Sequence, residues 1–382
     1  MSALMQEMQT DIGLVSTVVA RSSLSFIDGE KGILEYVGYD IDDLARHSTF
    51  EETTFLLWHQ RLPSHSELVE FTSRIQSNYD LSDGMWDMIV SLPRDASPMH
   101  ALRTLISALS LEDPNADDPS EEANQRKSLV MFSKMPALIA GFERHRKGLD
   151  LVRPDPSASI AESFLYMLTG KKPTERMARA MDICLILHAD HGFNASTFAA
   201  LVTISTLSDM YSAITTAIGT LKGPLHGGAN QGVMIMLQEI DGIENAESFV
   251  MNKLAKKDKV MGFGHRVYKS VDPRATYLKT FAQGIAQDTG NMELFDISKR
   301  IEKIMDREVG RKGIYPNVDF YSATTYFSLG IDLDLFTTLF AMSRVSGWTA
   351  HCLEYLQDSR LIRPRCDYVG PHTQTYVDIS QR

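Results

Sequence analysis

The stretch 196–221 is apolar on most faces of a helix and must therefore be buried on most sides. Such a segment needs other helices packed around it, and the rest of the chain supplies them. Helical spacing predicts elements over 41–47, over 50–60 with Thr49 as N-cap, and over 63–76 with Ser64 or Ser66 capping. It continues through 82–92, 99–109, 123–147 (where Pro136 offers a break), 159–169 and 173–191. Further helices are expected over 229–239, 246–256, 272–287, 292–308 and 336–358. Only 27–39 pairs a turn with short apolar alternation, which reads as one β-hairpin. Residues 113–121 read as a loop and 361–382 as an extended tail. The expected fold class is all-α, with one short β-hairpin near the N-terminus.

A chain of 382 residues is long for a single core and suggests about two domains. The turn at Lys222, Gly223 and Pro224 is the best boundary. It divides the chain into 1–222, the first part of a large domain, 223–325, an inserted small domain, and 326–382, a return to the large domain. The net charge of −11 argues against a general nucleic-acid binder, but leaves room for an anionic small molecule met by a local basic patch. Cys184, Cys352 and Cys366 lie far apart with no C-x-x-C spacing. They form neither a disulfide framework nor a zinc motif, and they fit a reducing cytoplasm. The N-terminus lacks the pattern of an export signal, and no apolar run approaches the roughly 20 residues of a membrane span.

Between Gly223 and Asp319 stand three polar islands: Gly-Pro-Leu-His-Gly-Gly-Ala-Asn at 223–230, Gly-Phe-Gly-His-Arg-Val-Tyr-Lys at 262–269 and Tyr-Pro-Asn-Val-Asp-Phe at 315–320. Each sets one titratable group, His226, His265 or Asp319, beside Gly or Pro, where turns between rigid helices can aim side chains at a ligand. Two imidazoles and a carboxylate suit acid–base chemistry at neutral pH. His226 precedes a helix N-terminus, which favours a neutral ring able to donate to an oxyanion; a helix cap with a solvated histidine reads the same. Asp319 lies among apolar and aromatic groups that raise a carboxylate pKa, but it could equally cap a helix beginning near Tyr321. Residues 253–279 carry eight positive charges against two negative, which points to an anionic ligand. The lone Gly-x-Gly at 262–264 follows no strand and is no dinucleotide fingerprint. His188 and His191 fall on one helical face; a carboxylate or hydroxyl partner suits them better than zinc, for which no third ligand is in view. Arg344 and Arg363 are cations in polar-poor contexts, suited to carboxylate forks or to snorkelling.

Taken in order, these motifs resemble the citrate synthase family. His-Ala-Asp-His-Gly-Phe-Asn at 188–194, the three islands with Asp-Pro-Arg at 272–274, Ser-Arg at 343–344 and Arg-Pro-Arg at 363–365 span nearly the whole chain. The resemblance is to the short bacterial and archaeal form, and it implies a two-domain helical fold. It also implies condensation of acetyl-CoA with oxaloacetate followed by hydrolysis of citryl-CoA. Asp319 would be the base, His226 the enol-stabilising donor and His265 the group that polarises the ketone. His191, His265, Arg274 and Arg344 would hold oxaloacetate, joined by Arg363 from the second subunit of a homodimer. Lys256, Lys257, Val260, Met261, Gly262, Gly264, Lys269 and Lys312 would contact CoA. No metal or other cofactor is implied, and no nucleic-acid or membrane partner. A 2-methylcitrate synthase using propionyl-CoA shares the pattern. A non-catalytic scaffold of the same fold would be expected to have lost His226, His265 or Asp319, and a metal hydrolase would depend on the histidine clusters.

Overall fold

The structure is a computed structural model that describes residues 11–14, 16–265 and 267–382. The first ten residues, on which the export-signal reading rests, and Arg266 of the basic run lie outside the described residues.

A small antiparallel sheet comes first: β1 (Ser25–Asp28), β2 (Ile33–Tyr36) and β3 (Tyr39–Asp40), with Ser25 opposite Tyr36 and Asp28 opposite Ile33. The expected hairpin is thus present and gains a short third strand. Ten helices follow: α1 (Ile41–His47), α2 (Phe50–His59), α3 (His65–Ser77), α4 (Asp83–Ser91), α5 (Pro98–Ala108), α6 (Glu121–Arg146), α7 (Ile160–Thr169), α8 (Glu175–His188), α9 (Ala195–Ile204) and α10 (Met210–Leu221). All but α5, which begins with Pro98, start after residues whose side chains accept a free backbone N–H: Asp40, Thr49, Ser64, Ser82, Ser120, Ser159, Thr174, Asn194 and Asp209. Ser64, rather than Ser66, caps α3, in a capping box with Glu67.

Six more complete the set: α11 (Ala229–Gln238), α12 (Ala246–Lys256), α13 (Pro273–Thr289), α14 (Met292–Val309), α15 (Val318–Ser328) and α16 (Phe336–Leu356). Helix α16 is buried from Phe336 through Cys352 and packs on α2, α6, α8, α9 and α10, so it forms the axis of the core. Helices α11 to α15 pack on one another, and α13 also lies on α1 and α8.

Four expectations are corrected. Helix α6 runs unbroken through Pro136: the lost N–H costs one hydrogen bond, but the helix is buried on nearly every side around it. The stretch 196–221 is two helices, because Asp209 caps a new start and Leu207 adopts a left-handed φ of 62°. Helix α8 stops at His188, which puts His191 in a turn rather than on a face shared with His188. Helix α15 starts at Val318 and is capped by Asn317, so Asp319 is not the cap. Among the described residues no helix is long and apolar enough to cross a membrane.

Candidate active site

The turn after α8 carries His191. The preceding residue, Asp190, is fully buried and pairs with His351 from α16. His191 Nε2 meets the Tyr268 hydroxyl at 3.2 Å, the hydroxyl partner expected from sequence. Burial, followed by the cations Arg274 and Arg344, holds His191 well below the usual imidazole range. His188 parts company with it. Its ring is buried against Phe340, with Nδ1 donating to the Cys184 carbonyl at 2.8 Å.

His265 lies on the next island, its ring centroid 5.2 Å from that of His191. Its Nδ1 accepts from the backbone N–H groups of Val267 at 3.0 Å and Tyr268 at 3.2 Å. Burial and then Arg274 bring its pKa down to about 4. A neutral ring with Nδ1 occupied as an acceptor carries its proton on Nε2, which is thereby a defined donor.

Asp272 ties this region together. It caps α13, grips buried Arg274 through Nε at 2.9 Å and Nη2 at 2.8 Å, and accepts from Val318 N–H at 3.1 Å. The last bond reaches the residue before Asp319. The 262–265 and 315–319 loops are also zipped directly: Gly264 N–H donates to Tyr315 O at 2.9 Å and Asn317 N–H to Gly262 O at 2.9 Å. Asp319 stands in the first turn of α15. Burial lifts its carboxyl to about 6, assisted by Asp272 and held back by Arg274 and Arg344.

His226 lies in the turn before α11. Ser196 N–H points at its Nε2 at 3.3 Å and the Ser196 hydroxyl at 2.8 Å. A backbone N–H can only donate, so Nε2 is the acceptor and the ring proton sits on Nδ1. Trp348 Nε1 donates to the Ser196 hydroxyl at 3.1 Å and fixes it further. His226 is held near 4, by burial first and then by Arg344. Arg344 is buried over the Phe340 ring and, among the described residues, donates a hydrogen bond only through Nε, to His188 O at 2.7 Å. Burial pulls its guanidinium down to about 10, so it remains a cation at neutral pH. Two buried cations link these groups: Arg274 acts on His191, His265 and Asp319, and Arg344 acts on His191, His226 and Asp319.

Val260 is buried and Met261 packs over Gly232; Lys256, Lys257, Lys269 and Lys312 are exposed. The segments of Lys269 and Lys312 adjoin, since Gly313 lies against the Lys269 carbonyl. Gly262 and Gly264 both need a positive φ, 79° and 82°. Gly262 fits tightly against Val233 and Phe320, whereas a Cβ on Gly264 would make only an ordinary contact with Ile314 at 3.9 Å. The basic run is less one-signed than its sequence: Arg274 is neutralised by Asp272 and Lys279 by Glu302, which leaves Lys256, Lys257, Lys259 and Lys269 exposed. Arg363 is exposed in the tail beside the α9–α10 turn, where Ile362 N–H donates to Ser205 at 3.1 Å. Sequence reading missed Ser196, Tyr268 and Asp272. Only Asp272 carried a local signal, an Asp before Pro at a helix start.

The model of the citrate synthase C-terminal domain matches residues 13–365. Citrate synthase 2 of Bacillus subtilis is 51% identical over 371 residues, covering 97% of this chain and 98% of that protein. The citrate synthase of Deinococcus radiodurans is 47% identical over 370 residues, covering 97% and 98%. Among solved structures, the ternary complex of Thermoplasma acidophilum citrate synthase with carboxymethyl coenzyme A and oxaloacetate superposes with a TM-score of 0.92. It is 37% identical and covers 98% of this chain and 100% of that one. Fold, motif order and relatives agree over almost the full length, and the chain belongs to the citrate synthase family.

Proposed function

We propose that this cleft condenses acetyl-CoA with oxaloacetate and hydrolyses the resulting citryl-CoA to citrate and CoA. The observation that carries the reading is the set of protonation states. Two neutral imidazoles have their donor nitrogens defined by backbone contacts, and a carboxylate is raised to about 6. A thioester methyl is a very weak acid, so a carboxylate alone cannot deprotonate it far. In this reading Asp319 takes the methyl proton while His226 Nδ1–H stabilises the forming enol oxygen, a donor typically worth about 3–4 kcal/mol. The enol carbon attacks the ketone carbon of oxaloacetate, and His265 Nε2–H polarises that ketone and then protonates the alkoxide. Water then cleaves the thioester and releases CoA.

His191, Arg274 and Arg344 hold the dicarboxylate in this scheme, with Arg363 supplied by a second copy in a homodimer. The outward exposure of Arg363 supports that assignment. Residues 223–325 act as a small domain that closes over the large one and excludes water until condensation is complete. CoA lies along Val260 to Gly264, its phosphates near Lys269 and Lys312, with Lys256 and Lys257 at the margin. No metal or other cofactor takes part, and the enzyme works in the cytoplasm without a nucleic-acid or membrane partner. Three free cysteines support that location.

The test is thiol release with acetyl-CoA and with propionyl-CoA, each with oxaloacetate. The relatives at 47% and 51% identity are named citrate synthases, and acetyl-CoA is expected to have the higher kcat/KM. One extra methylene changes affinity by only about 1–3 kcal/mol, so some propionyl-CoA turnover is expected as well. A tenfold preference for propionyl-CoA would reverse the choice of substrate.

A further inference from the structure

We propose that Asp190, clamped by His351, is a positioning residue for the oxaloacetate end of the cleft: the buried pair fixes the turn that aims His191. The inference rests on His191 being an oxaloacetate ligand. Asp190 is fully buried and His351 is 1% exposed. His351 Nε2 lies 3.1 Å from both carboxylate oxygens. The Ser25 hydroxyl of β1 donates to Oδ2, and Gly192 N–H reaches the same oxygen at 3.1 Å.

The backbone beside His191 is held as closely. The Tyr36 hydroxyl of β2 donates to Asp190 O at 2.8 Å and meets Asp190 N–H at 3.1 Å. Gly347 N–H of α16 donates to Ala189 O at 3.2 Å, and a Cβ on Gly347 would stand 2.4 Å from that oxygen. Three elements thus converge on the residue before His191. The only side-chain hydrogen bond of the His191 ring among the described residues is to Tyr268, so the turn is fixed while the ring still faces the cleft. On its far side His351 Nδ1 faces Ser22 at 3.4 Å and Glu354 at 3.9 Å, and Glu354 accepts from Ser23 N–H at 2.8 Å. A buried polar pair is a poor way to gain stability alone, since apolar residues of the same volume often serve as well. Next to a ligand-binding turn it specifies geometry.

The test is steady-state kinetics on Asp190→Asn, His351→Gln and Ser25→Ala, with His191→Ala as reference and thermal unfolding alongside. Misplacing a ligand by a fraction of an ångström is expected to raise KM for oxaloacetate about tenfold in Asp190→Asn and His351→Gln, and about two- to fivefold in Ser25→Ala. KM for acetyl-CoA should stay within about twofold in all three. An unchanged oxaloacetate KM with a lowered Tm, or both KM values rising together, would overturn the inference and leave a purely structural pair. If His191→Ala raises the oxaloacetate KM while the other variants do not, only the positioning role fails. If His191→Ala leaves it unchanged, the reading of His191 fails and takes this inference with it. Should Asp190→Asn not fold, His351→Gln and Ser25→Ala retain the carboxylate and decide the matter.

Discussion

In the proposed reaction Asp319 and the two imidazoles carry the chemistry, and Asp319 has a pH signature of its own. The Asp319 carboxyl is raised to about 6 by burial, so its ionised form is lost on acidification earlier than that of an ordinary aspartate. kcat/KM for acetyl-CoA should therefore fall tenfold per unit once pH drops below about 6, as a pH–rate profile would show. The stability sign is the reverse. A carboxyl whose folded pKa exceeds its unfolded value binds its proton more tightly in the folded state. Its favourable contribution is present below the unfolded pKa and lost as pH rises through about 6. At neutral pH Asp319→Asn should raise Tm by about 1–3 °C while reducing kcat by more than about a thousandfold, and calorimetry with a thiol-release assay reads both. These residues were legible in the sequence because each stands beside Gly or Pro in a polar island. Their protonation was only partly legible. The N–H donors to His226 Nε2 and His265 Nδ1 come from Ser196, Val267 and Tyr268, and the cations that depress the rings come from α13 and α16.

Among the elements, helix spans were readable wherever a cap preceded an amphipathic pattern, as at Thr49, Ser64 and Ser159. They misled where burial overrides local preference: Pro136 sits inside an unbroken α6, and the apolar stretch before Leu221 hides a turn at Asp209. The hairpin was found, but its purpose was not, because it has partners 154 to 241 residues away in the chain. Gly29 O, in the turn between β1 and β2, accepts from Lys269 N–H at 2.9 Å and from the Ser270 hydroxyl at 3.2 Å. A Cβ on Gly29 would meet the Val267 carbonyl at 2.3 Å. The same 267–268 backbone holds His265 Nδ1. Gly29→Ala should push that segment outward, lowering kcat/KM for oxaloacetate about tenfold or more with the fold retained by circular dichroism. Wild-type kinetics in this variant would mean that the hairpin does not support the His265 loop.

At the level of the whole molecule, the cleft as described lacks one of its expected cations. Arg363 belongs to a tail that leaves its own body at the α9–α10 turn, and exposed apolar groups follow it at Tyr368, Val369 and Tyr376. In a homodimer built on such exchange, Arg363→Ala and Asp319→Ala should each be inactive alone. Co-refolded, they should recover activity, because half of the sites in each mixed dimer draw Asp319 and Arg363 from the intact copies. No recovery despite verified mixed dimers would place Arg363 outside the partner's site. The central claim is that Asp319 is the base for carbon–carbon bond formation between acetyl-CoA and oxaloacetate. The most direct measurement is thiol release from acetyl-CoA with oxaloacetate, wild type against Asp319→Ala, with oxaloacetate affinity followed by calorimetry. The account predicts brisk release by the wild type and a loss of more than about a thousandfold in the variant at nearly unchanged oxaloacetate affinity. Near-full turnover by Asp319→Ala, or no release by the wild type, would contradict it.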